Sequence, residues 1–351
     1  MSDPDITSEN PAHDAFIHFP EDDGEKKSSY ISTIPVAPQL GVALGLLVFV
    51  FGITYVGATH ALKEQSAKRE LLMESEMSIR EKESAPSTDA FEGVSLEAKS
   101  AMVWDVKNKR ALFEKNSGEE LPLASVTKLM TALIVYELLD ADDKVAITLD
   151  ALRVEGDSGF LAGEEFTVQN LSDLTLIASS NDGAAALSAH GGSVLSAGDD
   201  PEAVFVTAMN IRAEELGLMK TSFRNSTGLD ISPSVAGAQG SAEDVSLLMD
   251  YIITTVPDAV SLTNLEVTTV KNENGAYHIA KNTNRDAGTI NGLLASKTGY
   301  TELSGGNLVI AFNAGLDRPI VITVLGSSYN GRFADTEKLI ERTRRQVSGN
   351  N

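Results

Sequence analysis

The sequence predicts an α+β fold, in which helices flank an antiparallel sheet, preceded by one N-terminal transmembrane helix. Strand-like segments lie near both ends of the region 92–346, and helix-like segments fill the stretch between them, which favours the α+β class. An uncharged apolar run at 40–59 has the length of a membrane span. These observations divide the chain into an acidic tail (1–39), a transmembrane helix (40–59), a charged stalk or linker (60–91) and a folded domain (92–346).

The N-terminal tail and the stalk are distinguished by their composition. Residues 1–39 hold eight acidic residues against two lysines, and five prolines interrupt any periodicity. This composition predicts a disordered tail. From 61 to 83 there is no glycine or proline and charges of both signs are mixed, which predicts a solvated helical stalk.

The segment 40–59 would rise about 30 Å as an α-helix, close to the hydrocarbon thickness of a bilayer. A cleaved signal peptide and a buried core helix are the alternatives. A signal peptide begins with a short basic region, whereas an acidic tail comes first here, so we favour an uncleaved helix in the lipid bilayer. The lysines on either side of the segment do not decide its orientation.

The charge and the residue composition exclude several classes of function. The 351-residue chain has 50 acidic and 28 basic residues and a formal net charge of −22. Nucleic-acid binding needs a positive face, so no nucleic acid is expected as a partner. The chain has no cysteine and only five histidines, which excludes thiolate chemistry and disfavours both a histidine metal site and an imidazole base. We expect no metal or organic cofactor.

Within the domain, local patterns predict each element in turn. Two apolar segments around a polar turn, 101–106 and 111–114, predict a hairpin. Apolar periodicity predicts helices over 126–139, 171–178, 182–189, 201–216, 242–254 and 332–346. Short β-rich segments predict strands over 266–270, 277–280, 294–297, 307–312 and 320–325.

Ser125 and Lys128 form the one Ser-x-x-Lys pair of the sequence, at the predicted start of a helix. Residues i and i+3 share a helix face, and free backbone N–H groups at a helix N-terminus can stabilise an oxyanion. Lys128 could serve as general base for the Ser125 hydroxyl if burial or a neighbouring cation lowered its pKa by about 3 units. A helix-capping serine followed by an ordinary lysine is the alternative reading.

Two further tripeptides carry polar groups suited to the same chemistry. Ser-Ser-Asn at 179–181 lies between two predicted helices and offers a hydroxyl and an amide. Lys-Thr-Gly at 297–299 ends a predicted strand and offers a cation, a hydroxyl and a glycine that permits close backbone approach. A helix cap and an edge-strand lysine are the alternative readings of each alone, but their order after Ser125 favours a shared site.

Ser-x-x-Lys, Ser-x-Asn and Lys-Thr-Gly together resemble the motif set of penicillin-binding proteins and β-lactamases. The segments 124–132 (ASVTKLMTA) and 209–230 are more closely similar to the low-molecular-mass serine D-alanyl-D-alanine carboxypeptidases. The resemblance covers about 92–345 and implies the penicillin-binding protein/β-lactamase-like fold for the domain. The sequence departs from many of these relatives at Ser180, where they have glycine.

The resemblance implies a role for each matching residue. Ser125 would be the acylated nucleophile, Lys128 would take its proton, and Ser179 would relay protons to the leaving group. The implied substrate-binding residues are Asn181, Lys297, Thr298, Gly299, Tyr300 and Arg332. Among these, Asn181 would hold the amide backbone of the substrate, and Lys297 and Thr298 would bind its terminal carboxylate. The backbone N–H groups of Ser125 and Tyr300 would form the oxyanion hole.

The sequence allows two interpretations of Arg332. It matches a position that also contacts the substrate carboxylate in the resembling family. A solvated arginine at the start of a helix is the alternative.

The resemblance also implies a substrate, inhibitors and a location. The chain would remove the terminal D-alanine from peptidoglycan stem peptides through a Ser125 acyl-enzyme, and β-lactam antibiotics would inhibit it. Because peptidoglycan lies outside the plasma membrane, we expect a single-pass bacterial membrane protein with a cytoplasmic N-terminus and an extracytoplasmic catalytic domain.

Three other functions remain open. A D,D-endopeptidase, which cleaves peptidoglycan crosslinks, would share every motif. A β-lactamase commonly carries a Glu-x-x-Leu-Asn segment after the second motif, and no such segment follows Asn181. An inactive wall-binding module could lose Ser125 or Lys128, but both are present.

Overall fold

The computed structural model describes residues 88–156, 158–198 and 200–349. The predicted tail (1–39), transmembrane helix (40–59) and nearly all of the stalk (60–91) lie outside the described residues. The α-helices are α1 (Thr88–Phe91), α2 (Lys128–Leu138), α3 (Val168–Ile177), α4 (Asn181–Leu195), α5 (Pro201–Glu215), α6 (Ala242–Thr255) and α7 (Gly331–Gly349). Three 3-10 segments are Ala124–Thr127, Ala151–Arg153 and Pro257–Asn264.

The strands include both long sheet strands and short two- or three-residue pairs. They are β1 (Ser100–Asp105), β2 (Arg110–Lys115), β3 (Leu121–Pro122), β4 (Lys144–Ala146), β5 (Glu165–Thr167), β6 (Ser222–Phe223), β7 (Ala238–Gly240), β8 (Val267–Lys271), β9 (Tyr277–Lys281), β10 (Leu293–Thr301), β11 (Gly305–Asn313) and β12 (Pro319–Ser327). The short strands β3 to β7 were not predicted, because two or three residues show no alternation.

The main sheet has the strand order β10-β11-β12-β1-β2, and each neighbouring pair is antiparallel. Strands from both ends of the domain therefore meet at its centre, where Trp104 lies opposite Val321. All six residues of β1 are buried because helices cover both faces of the sheet. This arrangement confirms the predicted α+β class with an antiparallel sheet and flanking helices.

Alternate residues of β1 enter two different cores. Met102 and Trp104 pack with the large core that includes residues of α2 to α6. Ala101 and Val103 pack on the opposite face with a smaller core that includes Phe91 of α1 and residues of α7. Successive side chains of a strand point to opposite faces of the sheet, so β1 packs against the helices on both sides.

Two predicted strands do not belong to the main sheet. The segments 266–270 and 277–280 form β8 and β9, which pair with each other in a separate two-stranded sheet. One face of this hairpin is buried through Val270 and Ala280, while Val267 and Ile279 are exposed. The hairpin therefore packs on the domain by one face rather than extending the sheet.

The helix boundaries differ from prediction where packing overrides local propensity. The helix predicted to end at 189 runs to Leu195 as α4, through Gly191 and Gly192. A Cβ at Gly192 would overlap the backbone carbonyl of Pro201, so these glycines let α4 and α5 approach closely. Glycine has low helix propensity, so local preference alone does not indicate that the helix continues through these positions.

Among the described residues, no single helix has both the length and the apolar composition of a membrane span. The consecutive segments Ala242–Thr255 and Pro257–Asn264 reach those limits only as a pair, and they are bent by 102°.

Asp335 of α7 joins the start of the domain to its last helix. Its buried carboxylate accepts hydrogen bonds from the backbone N–H of Glu97 (3.1 Å) and Ala98 (2.8 Å) and from Ser327 Oγ (2.9 Å). Backbone donors left without a partner in a buried place cost free energy, so this carboxylate stabilises the closure of the domain.

We expect Asp335→Ala to lower the free energy of unfolding by about 3 kcal/mol, because it leaves buried donors unpaired. Urea unfolding followed by the fluorescence of Trp104, the only tryptophan, measures the change. Glu337→Ala removes an exposed carboxylate from the same helix and should change stability little. Equal midpoints for the two variants would contradict the role of Asp335.

Candidate active site

Ser125 lies in the 3-10 segment Ala124–Thr127, immediately before α2. The helix therefore begins at Lys128, two residues later than the predicted start at 126. Ala124 has φ +47°, a left-handed conformation that turns the chain into this segment, and Thr127 Oγ1 donates to the Ala124 carbonyl (2.7 Å). The Ser125 side chain is half-buried and lies next to the N-terminal end of α2.

Lys128 is fully buried, and its Nζ contacts three oxygen atoms. These are Ser125 Oγ (3.0 Å), Asn181 Oδ1 (2.7 Å) and the backbone carbonyl of Thr227 (2.8 Å). Burial lowers the pKa of Lys128 to about 7. A neutral amine has two N–H donors and one lone pair, so it can donate to Asn181 and Thr227 while its lone pair accepts from the Ser125 hydroxyl.

Thr227 was not predicted as a site residue. It contributes a backbone carbonyl, which leaves no side-chain signature in the sequence. The close approach depends on Gly228, which has φ +80° and where a Cβ would overlap the Ala124 carbonyl. The glycine in this stretch is the one sequence signal that could have indicated the contact.

Ser179 and Lys297 form a second hydroxyl–amine pair. Lys297 Nζ donates to Ser179 Oγ (2.8 Å) and to the backbone carbonyl of Thr298 (2.9 Å). Ser179 adopts φ +59° between α3 and α4, a left-handed conformation that is uncommon for serine. Burial lowers the pKa of Lys297 well below its usual range, and the charges of Lys128 and Arg332 lower it further.

Asn181 is the first residue of α4 and connects Lys128 to a neighbouring loop. Its Oδ1 accepts from Lys128, and its Nδ2 donates to the backbone carbonyl of Glu155 (2.7 Å). Ser180, where many relatives have glycine, caps α4 by accepting from the Gly183 N–H (2.9 Å). Its hydroxyl is also 2.6 Å from Ser158 Oγ, so this serine links the loop to the helix.

The strand β10 places Thr298, Gly299 and Tyr300 beside the nucleophile. A Cβ at Gly299 would lie 2.7 Å from the Leu123 carbonyl and 3.2 Å from Ser125 N, so only glycine allows this approach. Thr298 Oγ1 donates to Thr283 Oγ1 (2.6 Å). Tyr300 is 42% exposed, and its ring meets the ring of Tyr329 edge-on at 5.1 Å.

Arg332 lies at the start of α7 and is only 4% exposed, so it is not a solvated arginine. Its Nη1 donates to the Gly299 carbonyl (2.7 Å), and its guanidinium lies over the rings of Tyr329 (4.6 Å) and Phe333 (4.8 Å). Burial lowers its pKa from the usual value. The arginine thus contacts β10 beside Lys297.

Asn307 of β11 holds the segment that carries the nucleophile. Its Nδ2 donates to the carbonyls of Pro122 (2.9 Å) and Leu123 (3.0 Å), and its Oδ1 accepts from the Gly326 N–H (2.8 Å). Asn307 was predicted only as a strand residue. The sequence signal that could have identified it is an asparagine next to the apolar residues of a predicted strand. In the structure this amide is fully buried, and a buried amide needs hydrogen-bond partners.

The structure brings together side chains from all three motifs. Ser125, Lys128 and Asn181 share one hydrogen-bond network, and Ser179 and Lys297 form the adjacent pair. Within the residues that the structure describes, no set of three or more His, Asp or Glu side chains converges to hold a metal ion. A hydroxyl paired with a lysine of lowered pKa defines an active-site-serine protein with lysine as its basic group.

Comparison with known protein families shows which family of active-site-serine proteins the chain resembles. Residues 82–328 match the family model described as D-alanyl-D-alanine carboxypeptidase. The chain belongs to the D-alanyl-D-alanine carboxypeptidase family, as its motifs predicted.

The chain is similar to curated proteins that are named carboxypeptidases and to others that are named endopeptidases. The carboxypeptidase DacF of Bacillus subtilis is 32% identical over 251 residues, which cover 70% of this chain and 61% of that protein. DacC of Escherichia coli is 30% identical, covering 71% and 62%. A D-alanyl-D-alanine endopeptidase of Haemophilus influenzae is 33% identical, covering 60% and 69%. The alignment thus spans about three fifths of the two carboxypeptidases.

Solved structures share the fold. A penicillin-binding protein of Listeria monocytogenes, in its ampicillin-bound form, is 31% identical with a TM-score of 0.58, covering 72% of this chain and 99% of that one. A mutant of a Streptomyces DD-transpeptidase is 23% identical with a TM-score of 0.64, covering 71% and 98%. They confirm the predicted penicillin-binding protein/β-lactamase-like fold.

We expect Asn307→Ala to release the segment 123–128, because the substitution removes the side-chain bonds that join this segment to the sheet. Amide hydrogen exchange there, measured by mass spectrometry, should accelerate by about tenfold. Asn291→Ala, at an exposed position, is the matched control and should leave exchange unchanged. Unchanged protection of 123–128 in Asn307→Ala would show that other contacts hold the segment.

Proposed function

We propose that this chain is a serine D,D-carboxypeptidase that removes the terminal D-alanine from peptidoglycan stem peptides through a Ser125 acyl-enzyme. One observation carries the proposal: the buried amine of Lys128, with its pKa lowered to about 7, lies 3.0 Å from Ser125 Oγ. A lysine with this pKa is substantially neutral near pH 7 and can accept a proton.

In the first step, Ser125 Oγ attacks the carbonyl of the penultimate D-alanine while Lys128 Nζ takes the hydroxyl proton. The backbone N–H groups of Ser125 and Tyr300 stabilise the oxyanion of the tetrahedral intermediate. The C–N bond then breaks, and the proton that Lys128 took passes through the Ser179 hydroxyl to the amine of the departing D-alanine, which leaves Lys128 neutral again. Water hydrolyses the resulting ester and returns the proton to Ser125.

We assign recognition of the terminal carboxylate to Thr298, Lys297 and Arg332. The Thr298 hydroxyl and the Lys297 amine would donate to the carboxylate, while the Arg332 guanidinium supplies a positive field in a place of low dielectric. β10 is the outer strand of the sheet, and Gly299 lets this strand pack directly against the backbone of the segment 123–125. A substrate backbone would therefore bind along the free edge of β10 beside Ser125. Asn181 uses one N–H on Glu155 and retains a second for the amide carbonyl of the substrate.

The named relatives support this substrate class. Proteins called D-alanyl-D-alanine carboxypeptidases are 30–32% identical to the chain, and the Listeria relative was solved with ampicillin bound. We therefore propose that β-lactams acylate Ser125. A D,D-endopeptidase is the second candidate function, because the Haemophilus relative of that name is 33% identical and is covered over 69% of its length.

We further propose that the segment 40–59 anchors the protein in the plasma membrane of a bacterium. Peptidoglycan lies outside that membrane, which requires an extracytoplasmic catalytic domain and a cytoplasmic tail. The uncharged apolar run at 40–59 and the acidic composition of 1–39 support this placement.

Intact-mass measurement of the full chain with a penicillin tests the reaction class. We expect a lasting adduct on the unmodified chain and on Ser193→Ala, at an exposed serine, but none on Ser125→Ala. Consumption of the drug without an adduct would favour a β-lactamase. Intact drug without an adduct would contradict the role of Ser125 as the nucleophile.

A second experiment separates a carboxypeptidase from an endopeptidase. It compares the release of D-alanine from a D-Ala-D-Ala peptide with the cleavage of a crosslinked peptide dimer.

The rate of penicillin acylation should rise with pH and level off above about 7, because only the neutral Lys128 amine accepts the proton. Between pH 8 and pH 5 the second-order rate constant should fall by about a hundredfold. Stopped-flow acylation gives the profile, and Trp104 fluorescence verifies folding at each pH. A flat profile, or an unchanged rate in Lys128→Ala, would rule out Lys128 as the base.

A further inference from the structure

Thr283 lies beside the active site, although none of the three motifs contains it. It follows β9 and is exposed, whereas its neighbours Asn282 and Asn284 are buried. Its hydroxyl contacts the hydroxyl of Thr298, one of the residues to which we assign the substrate carboxylate, and the two Oγ1 atoms are 2.6 Å apart. The reaction described above gives the Thr283 side chain no role.

The buried asparagines on either side fix the backbone of Thr283. Asn282 Nδ2 donates to the carbonyls of Thr263 (2.9 Å) and Leu265 (2.7 Å). Asn282 Oδ1 accepts from the Asn284 N–H (2.8 Å), which forms an Asx turn around Thr283. The side-chain amide of Asn282 therefore holds this turn at a set position relative to Thr263.

Thr298 is fixed to the same residue, Thr263, through β10. Ser296, two residues before Thr298, donates through its backbone N–H to Thr263 Oγ1 (3.1 Å). The Ser296 hydroxyl donates to the Thr263 carbonyl (3.0 Å). Because Thr263 anchors both β10 and the turn that carries Thr283, the surrounding frame sets the contact between the two threonine hydroxyls.

The backbone of Thr283 also reaches the second motif. Its N–H donates to the carbonyl of Ile177 (3.1 Å), two residues before Ser179. The Ser179 hydroxyl accepts from Lys297, which directly precedes Thr298. A ring of contacts thus joins the Ser179–Lys297 pair to both threonines. A substitution that changes only the Thr283 side chain leaves the backbone bond in this ring intact.

We propose that Thr283 is a positioning residue for the terminal carboxylate of the substrate and acts through Thr298. This inference rests on the proposed function, because it takes Thr298 as a donor to that carboxylate. Thr283 orients the donor, and its contribution is confined to ligands that present a carboxylate.

The chemistry of two adjacent hydroxyls explains this role. Each hydroxyl has one hydrogen to donate and lone pairs that accept. In the structure the hydrogen of Thr298 is donated to Thr283. When a carboxylate binds, that hydrogen turns to the carboxylate, and Thr283 donates its own hydrogen to the Thr298 oxygen. The contact between the hydroxyls persists with its direction reversed, and a hydroxyl that also accepts is a stronger donor.

Two thioesters of the same N-acyl-D-alanine test this role in the full chain. The leaving group of the first is thioglycolate, which ends in a carboxylate, and the leaving group of the second is the methyl ester of thioglycolate. Both acylate the same serine, so the comparison separates carboxylate recognition from the chemistry of acylation. Because the chain has no cysteine, a thiol reagent detects only the released leaving group.

We expect Thr283→Val to lower kcat/KM for the carboxylate thioester by about tenfold and for the methyl ester by less than about twofold. Thr283→Ser keeps the hydroxyl and should retain the activity of the unmodified chain. In a Thr298→Val background, Thr283→Val should have no further effect, because the two residues act as one unit. Thr269→Val, at an exposed threonine of β8, is the matched control and should change neither rate.

Three outcomes would overturn the inference about Thr283. An unchanged kcat/KM in Thr283→Val would show that its hydroxyl is not used. An equal loss for both thioesters would assign the residue a structural role only, and an additive loss in the Thr298→Val background would show that it acts without Thr298. Failure of the proposed function gives a different result, in which the unmodified chain releases no more thiol than Ser125→Ala from either thioester.

Discussion

Two buried lysines set the main constraint on this structure. Lowering the pKa of Lys128 from 10.5 to about 7 corresponds to about 5 kcal/mol against its charged form, and Lys297 is buried beside it. Neither amine could remain in such a place without oxygen partners. The hydroxyls of Ser125 and Ser179 and the backbone carbonyls of Thr227 and Thr298 are among those partners. The packing of the surrounding segments therefore serves to bring these oxygens to the two amines.

Rigid contacts hold those segments from several directions. Asn307 binds the backbone before Ser125 from the sheet, and Arg332 binds the backbone of β10 from α7. Gly228 and Gly299 let two further backbones approach the same turn, because a side chain at either position would collide with it. A shift of about 1 Å in any of these segments would separate a hydroxyl from its amine, so the frame preorganises the site before a ligand binds.

Much of this arrangement was predictable because it depends on side-chain types in a fixed order. The three motifs contain the side chains that the structure brings together, and the strands at both ends of the domain indicated the sheet. The Thr227 carbonyl was not predictable, since a main-chain acceptor has no residue type. The pairing of β8 with β9 and the continuation of α4 through Gly192 were missed because tertiary packing decides them, whereas propensity and periodicity are local.

The position of β1 between β2 and β12 has a consequence for synthesis of the protein. Asp105 and Arg318, which form an ion pair at the end of this strand pair, are 213 positions apart. A ribosome adds roughly 5–20 residues per second, so the β1–β2 hairpin waits for roughly ten seconds or more before β12 exists. An isolated hairpin is marginally stable in water. The domain therefore cannot close its main sheet around the paired serines and lysines until β12 is made.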